Sequence, residues 1–598
     1  MSINFEKLTK EELIKYISEL RKQLNNEKYG LYFDRKASPE DVVEECKNKI
    51  PILYREKSLD IISGNYGENL LIEGDNFQVL SALTSIASSE EVVDVIYIDP
   101  PYNTGNKDFI YNDKFLDADD GFRHTKWLNF MEKRLKLAKE LLSENGVIFI
   151  SIDDNEQSQL KLLCDSIFGE RNHITTFVWE KTQHFGRQKI NNYSNNEYVL
   201  CYAKQLVDNK IKELLVEAIN TELQDAPLYN ASNPVKTLEF PTGSVLVNLP
   251  DGTYNKTNSD DYLLEKPVIV KNKKNLTPLI LTFRSRWSNE TVQTEYEKGT
   301  TYWVKTNNFA IRTIYHEGKT SKTSPKQLIF SNINNPLVAK NRFGEKVGVN
   351  EEGSKELKEI LQNDLFSYPK PVSLIKYLLS LIYDPIKDDF NKTYTCLDFF
   401  AGSGTTGQAI LELNQLDGGN RKFILVTNNE GNIMSDVCYP RIKTVVTGKR
   451  EDGTKYSDGI DANVRYLKAS FVDDNPSKDQ AKYDLVEQID SLICITENTF
   501  DHIVNDNSFN LYTNLNKDKI TAIYNDYYEK KSFDNMLEKI GNNNSADNMV
   551  YYFSLDNNID ETLEKIVKDK LPNANVKPIP SKIYEIYKKI AEDLRRDY

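Results

Sequence analysis

The stretch VVDVIYIDPPY, residues 92–102, decides the fold. Its almost unbroken run of apolar, mostly β-branched residues predicts a strand buried on both faces, and Pro100-Pro101 ends it directly after Asp99. A strand of that kind belongs to a largely parallel sheet covered by helices, and the surrounding sequence supplies both. Upstream, NLLIEGD (69–75) reads as a short strand ending in an acid. Downstream, RHTKWLNFMEKRLKLAKELL (123–142) carries Trp127, Met131, Leu135, Ala138 and Leu142 at helical spacing. NGVIFISID (145–153), TTFVWEK (175–181) and EYVLCYAK (197–204) follow as strands.

From about residue 206 to 345 the rhythm breaks into polar, Asn- and Thr-rich sequence with short β-like runs such as SVLVNL and TYWVKT. The α/β pattern returns with the helix SLIKYLLSLI, the strand and glycine turn TCLDFFAGSG, the helix TTGQAILELN and the strand KFILVTNNE. After about residue 446 the chain is acidic and mixed, and it ends in a helix, KIYEIYKKIAEDLRR. The expected division is a helical segment at 1–50, α/β halves at 51–205 and 346–445, an insert at 206–345 and a further α+β domain at 446–598.

The chain has 598 residues, 76 Lys and Arg against 90 Asp and Glu, and a formal charge of −14, which excludes a uniformly basic nucleic-acid coat protein. Charge is uneven, however. Between Lys271 and Gly344 thirteen Lys and Arg face four Glu and no Asp, a local +9 with Phe283, Trp287, Tyr302, Trp303 and Phe309 interleaved. The six cysteines, Cys46, Cys164, Cys201, Cys396, Cys438 and Cys494, form no C-x-x-C pair, so neither a disulfide framework nor a zinc knuckle is expected. No apolar run reaches membrane-spanning length, and the charged N-terminus lacks the apolar stretch of a signal peptide, which reads as a cytoplasmic protein.

Asp99-Pro100-Pro101-Tyr102 sits where open α/β sheets place their sites, at the carboxyl end of a buried strand. These residues suit the handling of a planar exocyclic amine. Asp99 can accept one N–H, and a backbone carbonyl at Pro100 can accept the other. The Tyr102 ring can stack on a base that has left its helix. A bare Pro-Pro turn capped by an acid is the plainer alternative. Asp398-Phe399-Phe400-Ala401-Gly402-Ser403-Gly404-Thr405-Thr406-Gly407 is the second signal, a strand-to-helix loop containing G-x-G-x-x-G. That string also fits a nicotinamide dinucleotide. The acid at Asp398 argues against a pyrophosphate and for a ligand with an ammonium group, such as S-adenosylmethionine. Glu430, ending the next strand, could take ribose hydroxyls.

The two signals lie 299 residues apart. In that order, with the insert between them, the sequence resembles the β class of DNA amino-methyltransferases, most closely the modification (Mod) subunit of type III restriction–modification systems. The strings DPPYNTGNKDFIYND, DGFRHTKWLNFMEKRLKLAK, YPKPVSLIKYLL, DFFAGSGTT, TNNEGNI and YPRIK carry the resemblance. It implies a circularly permuted, doubly wound Rossmann-like methyltransferase sheet interrupted by a target recognition domain. It implies a catalytic turn of Asp99, Pro100, Pro101 and Tyr102, and a cofactor pocket of Asp75, Phe366, Lys370, Pro371, Asp398, Phe400, Gly402, Gly404 and Glu430.

The resemblance also implies methyl transfer from S-adenosylmethionine to adenine N6 in duplex DNA, without a metal or covalent intermediate. A homodimer and a helicase–nuclease (Res) partner are implied with it. Asp before Pro-Pro-Tyr favours adenine N6 over cytosine N4 only through the resemblance. Arg284, Arg286 and Lys305 of the basic insert are the candidate DNA contacts. A cytosine-N4 enzyme, an orphan adenine enzyme, an RNA methyltransferase, a nicotinamide dehydrogenase and a catalytically dead DNA-binding subunit remain as alternatives.

Overall fold

The computed structural model describes residues 31–597 apart from 32, 36–39, 65–67, 87–92, 112–113, 118–119, 184–193, 207–213, 222–225, 286, 316–318, 333–336, 385, 388, 474–484, 487, 526–529, 542–544, 546, 554–559 and 580. The helix expected near the N-terminus therefore lies outside the described residues. The described residues form two compact units, one of the chain up to Leu215 together with Lys326 onward, the other Val216–Pro325.

The first unit is built on an eleven-stranded sheet. Its elements in chain order begin with β1 (Lys49–Arg55), β2 (Glu68–Glu73), α1 (Asn76–Ile86), β3 (Val93–Ile98), α2 (Arg123–Leu141), β4 (Leu142–Ile152), α3 (Gln157–Phe168), β5 (His173–Glu180) and β6 (Asn196–Ala203). After the second unit come β7 (Leu328–Ile329), α4 (Val372–Ser380), β8 (Thr395–Asp398), α5 (Thr405–Asp417), β9 (Lys422–Thr427), α6 (Tyr439–Thr447) and β10 (Asn463–Asp473).

The strand order is β1-β10-β2-β9-β8-β3-β4-β6-β5-β7, with Ile61–Ile62 as a further strand on β10. From β10 through β4 every pairing is parallel. The edges β1 and β6–β5 run antiparallel.

Both faces of the parallel centre are covered. Ile96 and Ile98 of β3 and Ile148 and Ile150 of β4 enter one core, which Trp127, Met131 and Leu135 of α2 close. Val95, Tyr97, Val147 and Phe149, the intervening residues, enter the core on the other face beneath Leu374 and Leu378 of α4. β8 pairs directly with β3, Cys396 opposite Val95 and Leu397 opposite Ile96. Sheet register thus sets the turn after Ile98 beside the loop after Asp398, although the chain leaves the sheet for most of 300 residues between them.

Two expected boundaries move. Asn463–Asp473, placed by sequence in the C-terminal domain, is an inner strand of this sheet, parallel to β2 and antiparallel to β1. The α+β domain after it holds a five-stranded sheet formed by Asp501–Asn505, Phe509–Thr513, Ile520–Tyr524, Met549–Phe553 and Asn575–Ile579. The insert is narrower than 206–345, since Leu328–Ile329 pairs with β5 and Arg342 bonds Asp417 in the first unit.

The second unit has its own core, including Phe240, Leu281, Phe283, Trp287, Tyr302 and Phe309. Phe240 meets Tyr302 edge-on at 4.8 Å. Four of the aromatics that looked interleaved with the basic residues (Phe283, Trp287, Tyr302 and Phe309) are buried, so they stabilise the unit rather than present a stacking surface.

Candidate active site

Asp99 is the first residue beyond β3, and Pro100 forbids the strand to continue. Tyr102 returns its hydroxyl to Asp99, with Oη 2.8 Å from Oδ1. Lys370, just before α4, donates to Asp99 Oδ2 at 3.0 Å and to Tyr102 Oη at 2.8 Å. Glu197, at the start of β6, completes the group. Its Oε2 is 3.1 Å from Tyr102 Oη and 3.3 Å from Lys370 Nζ, and its Oε1 is 3.3 Å from Lys181 Nζ.

Burial alone would raise the Glu197 carboxyl, but Lys370 and Lys181 hold it below the usual carboxylate range. Burial alone would lower Lys370, but Asp99 and Glu197 keep its ammonium above its ordinary value. Burial and the same two carboxylates push the Tyr102 phenol well up, so the hydroxyl stays protonated. The Asp99 side chain is 28% exposed against 7% for Lys370 and Glu197, so Asp99 is the member of the group a substrate can reach.

The turn is braced from behind. Trp127 Nε1 donates to the Pro101 carbonyl at 2.7 Å. Asn103 takes a left-handed φ of 57° and donates to Glu156 Oε1 at 2.5 Å, where His124 Nδ1 also sits, at 2.6 Å. Trp127 is core, as its helical spacing suggests, and it also fixes the turn. His124 is on the first turn of α2, and its partner Glu156 is fully buried.

The glycine loop lies on the neighbouring strand end. Gly402 and Gly404 adopt φ of 49° and 79°, which side-chain-bearing residues rarely take. A Cβ on Gly402 would stand 3.2 Å from the Phe366 ring, which places Phe366 against the loop. Phe400 stacks with Phe130 at 5.8 Å, and Arg134 caps the Phe130 ring at 3.6 Å. Arg441 of α6 is fully buried and reaches up to the loop, donating to Ser403 Oγ at 3.0 Å, Thr405 Oγ1 at 2.8 Å and Gln408 Oε1 at 2.8 Å.

Three expected cofactor residues have partners of their own. Asp398 is only 2% exposed, and both oxygens are engaged within the loop: Phe400 N–H donates to Oδ1 at 3.0 Å and the Thr406 hydroxyl to Oδ2 at 2.5 Å. It shapes the loop instead of offering a free carboxylate at its mouth. Asp75 caps α1 through the amides of Phe77 and Gln78, at 2.7 and 3.2 Å, and contacts Arg134 at 3.4 Å. Lys370 stands at the catalytic turn. Pro371 is the N-cap of α4, which fixes the approach of Lys370. Glu430 is exposed, bonded to Asn428 at 3.4 Å.

Burial, against the bonds from Thr406 and Phe400, raises the Asp398 carboxyl to about 7. The folded protein therefore keeps a proton there that the unfolded chain sheds near its ordinary value of 3.8. Ionisation thus costs the folded state stability as pH rises from about 4 to about 7, and the cost is constant above that. Asp398→Asn, which keeps the shape without the charge, is expected to gain in denaturation midpoint relative to the natural protein between pH 5 and pH 8. An offset that does not change with pH would refute the assignment.

In the second unit Arg284 and Lys305 are exposed. Arg284 Nη1 reaches the Asn233 carbonyl at 3.1 Å, and Lys305 Nζ lies 4.8 Å from the Trp303 ring centre. Arg286 lies outside the described residues. Sequence reasoning missed Glu197 and Arg441. An acid at the head of an apolar strand and an arginine in a helix carry no local mark of function, although Arg441 falls within the YPRIK string.

A parallel sheet with two loops on adjoining strand ends, one acidic and proline-stiffened, the other glycine-rich, is the open α/β arrangement in which ligands bind outside the carboxyl ends of the strands. The chain belongs to the DNA methylase family, whose model matches residues 93–468. It is 29% identical over 476 residues to the Mod subunit of the type III restriction-modification enzyme StyLTI of Salmonella typhimurium, covering 73% of this chain and 66% of that one. To the EcoPI Mod subunit of Escherichia phage P1 it is 31% identical, covering 61% and 58%. To the type II methyltransferase M.KpnI of Klebsiella pneumoniae it is 30% identical, covering 72% and 92%. The chain thus spans just under two thirds of the StyLTI relative's length and less of the EcoPI one.

Proposed function

We propose that the protein is a site-specific DNA methyltransferase that modifies adenine N6, and that it serves as the modification and recognition subunit of a type III restriction–modification system. One observation carries this reading: β3 and β8 are parallel neighbours, so the Asp99–Tyr102 turn and the glycine loop share the carboxyl end of the sheet. The acceptor oxygen of Asp99, held by Tyr102 and Lys370, suits a target amine, and the glycine loop with Phe366 packed on Gly402 stands beside it.

S-adenosylmethionine is the methyl donor this loop would hold, supplying an electrophilic methyl group. Asp99 accepts an N–H of the flipped base and so directs the nitrogen lone pair. The Tyr102 ring offers a stacking face. Lys370 holds the carboxylate in place. The departing proton passes to Asp99, so catalysis is positioning and charge placement.

The names of the StyLTI and EcoPI relatives favour a type III system, while M.KpnI is a type II enzyme. A Res subunit as partner, a homodimer of this chain and a cytoplasmic site of action go with the type III reading. No helix among the described residues is long and apolar enough to cross a membrane.

The test is incubation with methyl-labelled S-adenosylmethionine and unmodified genomic DNA, followed by nucleoside analysis. Label in N6-methyladenine supports the reading, label in N4-methylcytosine moves the target atom, and no label refutes it.

DNA reading by the second unit gives a separate expectation. Lys305→Ala and Arg284→Ala should each weaken DNA binding several-fold at about 0.1 M salt and flatten the log–log salt dependence by about one unit. An unchanged slope in both variants removes these residues from the interface.

A further inference from the structure

We propose that Glu197 is a positioning residue for methyl transfer: it is the second acceptor onto which the Tyr102 hydroxyl turns, so that Asp99 Oδ1 is released to grasp the target amine. The proposal rests on the amino-methyltransferase reading above and adds a residue that neither motif contains.

The geometry poses a competition. Tyr102 has one hydroxyl proton and two carboxylate oxygens within hydrogen-bond distance, Asp99 Oδ1 at 2.8 Å and Glu197 Oε2 at 3.1 Å. Lys370 donates into the same hydroxyl oxygen at 2.8 Å, so Tyr102 needs an acceptor for its own proton at all times. Asp99 Oδ2 is meanwhile held by Lys370 at 3.0 Å. With the hydroxyl on Asp99, both carboxylate oxygens already take a donor, and an incoming N–H must share an oxygen with one of them, which weakens its hold on the amine. Rotation about the Tyr102 Cζ–Oη bond moves the proton to Glu197 and frees Oδ1 without shifting a heavy atom.

Glu197 is built to receive it. β6 runs antiparallel to β4, with Tyr198 opposite Ile152, so its first residues lie at the same sheet edge as Asp99. Lys181 on Oε1 and Lys370 on Oε2, each at 3.3 Å, keep the carboxylate ionised and fixed. Tyr102, Lys181 and Lys370 are the groups it contacts, and Asp153 and Tyr97 are near enough to feel its charge. Its side chain is 7% exposed, too enclosed to meet the base itself. Two carboxylates and two ammonium groups leave the cluster neutral, so the hydroxyl can exchange acceptors without a net charge being created.

A double-mutant cycle on the full chain decides the matter. Glu197→Gln replaces the carboxylate by a weaker, neutral acceptor, and Tyr102→Phe removes the hydroxyl while keeping the ring. Single-turnover methylation of DNA containing the modified site is measured with KM for DNA and Kd for S-adenosylmethionine. Glu197→Gln alone is expected to slow transfer about tenfold with both affinities within twofold of the natural values. In the Tyr102→Phe background it should slow transfer less than twofold further, since the proton it would have received is gone.

An equal loss in both backgrounds, or no loss in either, overturns the proposal. Should Glu197→Gln melt at assay temperature, Glu197→Asp keeps the charge but withdraws the oxygen, and the same non-additivity with Tyr102→Phe is required of it. A natural protein that transfers no methyl group overturns the functional reading and this proposal with it. A natural protein that transfers, with additive variants, overturns the proposal alone.

Discussion

Asp99→Ala is expected to slow methyl transfer to DNA by about a thousandfold while leaving S-adenosylmethionine binding within about threefold. A single preorganised polar group at a reacting centre is worth about 10²–10³ in rate, and orientation of the nucleophile adds to that. Asp99 is the exposed carboxylate of its cluster, and the other acid of that cluster cannot replace it: Glu197 stands behind Tyr102 and is enclosed. The variant should fold, because Lys370 keeps Glu197 as a counter-charge at 3.3 Å. Asp99→Asn, which retains one acceptor oxygen, should lose less. The check is a labelled single-turnover assay beside a cofactor titration. An alanine variant with more than a tenth of the natural rate would sink the assignment.

The largest effect on stability is expected from Arg465→Ala, at about 3–5 kcal/mol. Arg465 is the third residue of β10 and is 2% exposed. Its guanidinium grips Glu68 of β2 with two bonds, Nε to Oε2 at 2.7 Å and Nη2 to Oε1 at 2.8 Å, and also reaches Asp501 at 2.9 Å and Asp60 at 3.3 Å. The Glu68 side chain is itself 2% exposed. Alanine would leave that carboxylate in the sheet without its counter-charge, which costs far more than the pair is worth against an apolar replacement. Chemical denaturation should therefore show a large fall for Arg465→Ala and substantial recovery in Arg465→Met with Glu68→Leu. A fall below about 1 kcal/mol would show that the ion pair is dispensable.

How much of this was legible depended on how local each signal is. The strand at 93–98 and its turn announce themselves, because a strand buried on both faces must be apolar throughout and prolines must end it. The loop at 398–407 does so through its glycines. NVRYLKASFVD, by contrast, alternates charge and bulk and reads as surface. It is an inner strand because Arg465 finds Glu68 and Lys468 finds Glu73, partners almost 400 residues away. Asp398 looked like a ligand-binding acid because a carboxylate before a glycine loop suits an ammonium group, and the Phe400 amide and Thr406 hydroxyl that occupy it belong to the loop it begins. For Asp75 the residues alone suggest a helix cap, which it is, and only the resemblance makes it a cofactor residue. The contacts of Lys370 with Asp99 and Tyr102 were not legible for a related reason: its position is set by α4 and the sheet together, and only its presence is visible in the string.

The order of the strands has a consequence for synthesis. β2 is flanked by β9 and β10: Asn69 accepts from the amide of Phe423, 354 residues later, and donates to the carbonyl of Asn463, 394 residues later. At a translation rate of about 5–20 residues per second, β2 waits roughly 20–80 s on the ribosome before both neighbours exist. Over that interval both of its edges offer unpaired backbone groups to any other strand. The nascent chain thus carries an unpaired central strand until the codon for Asn463 has been read, and a chain cut short before it keeps one edge of β2 open.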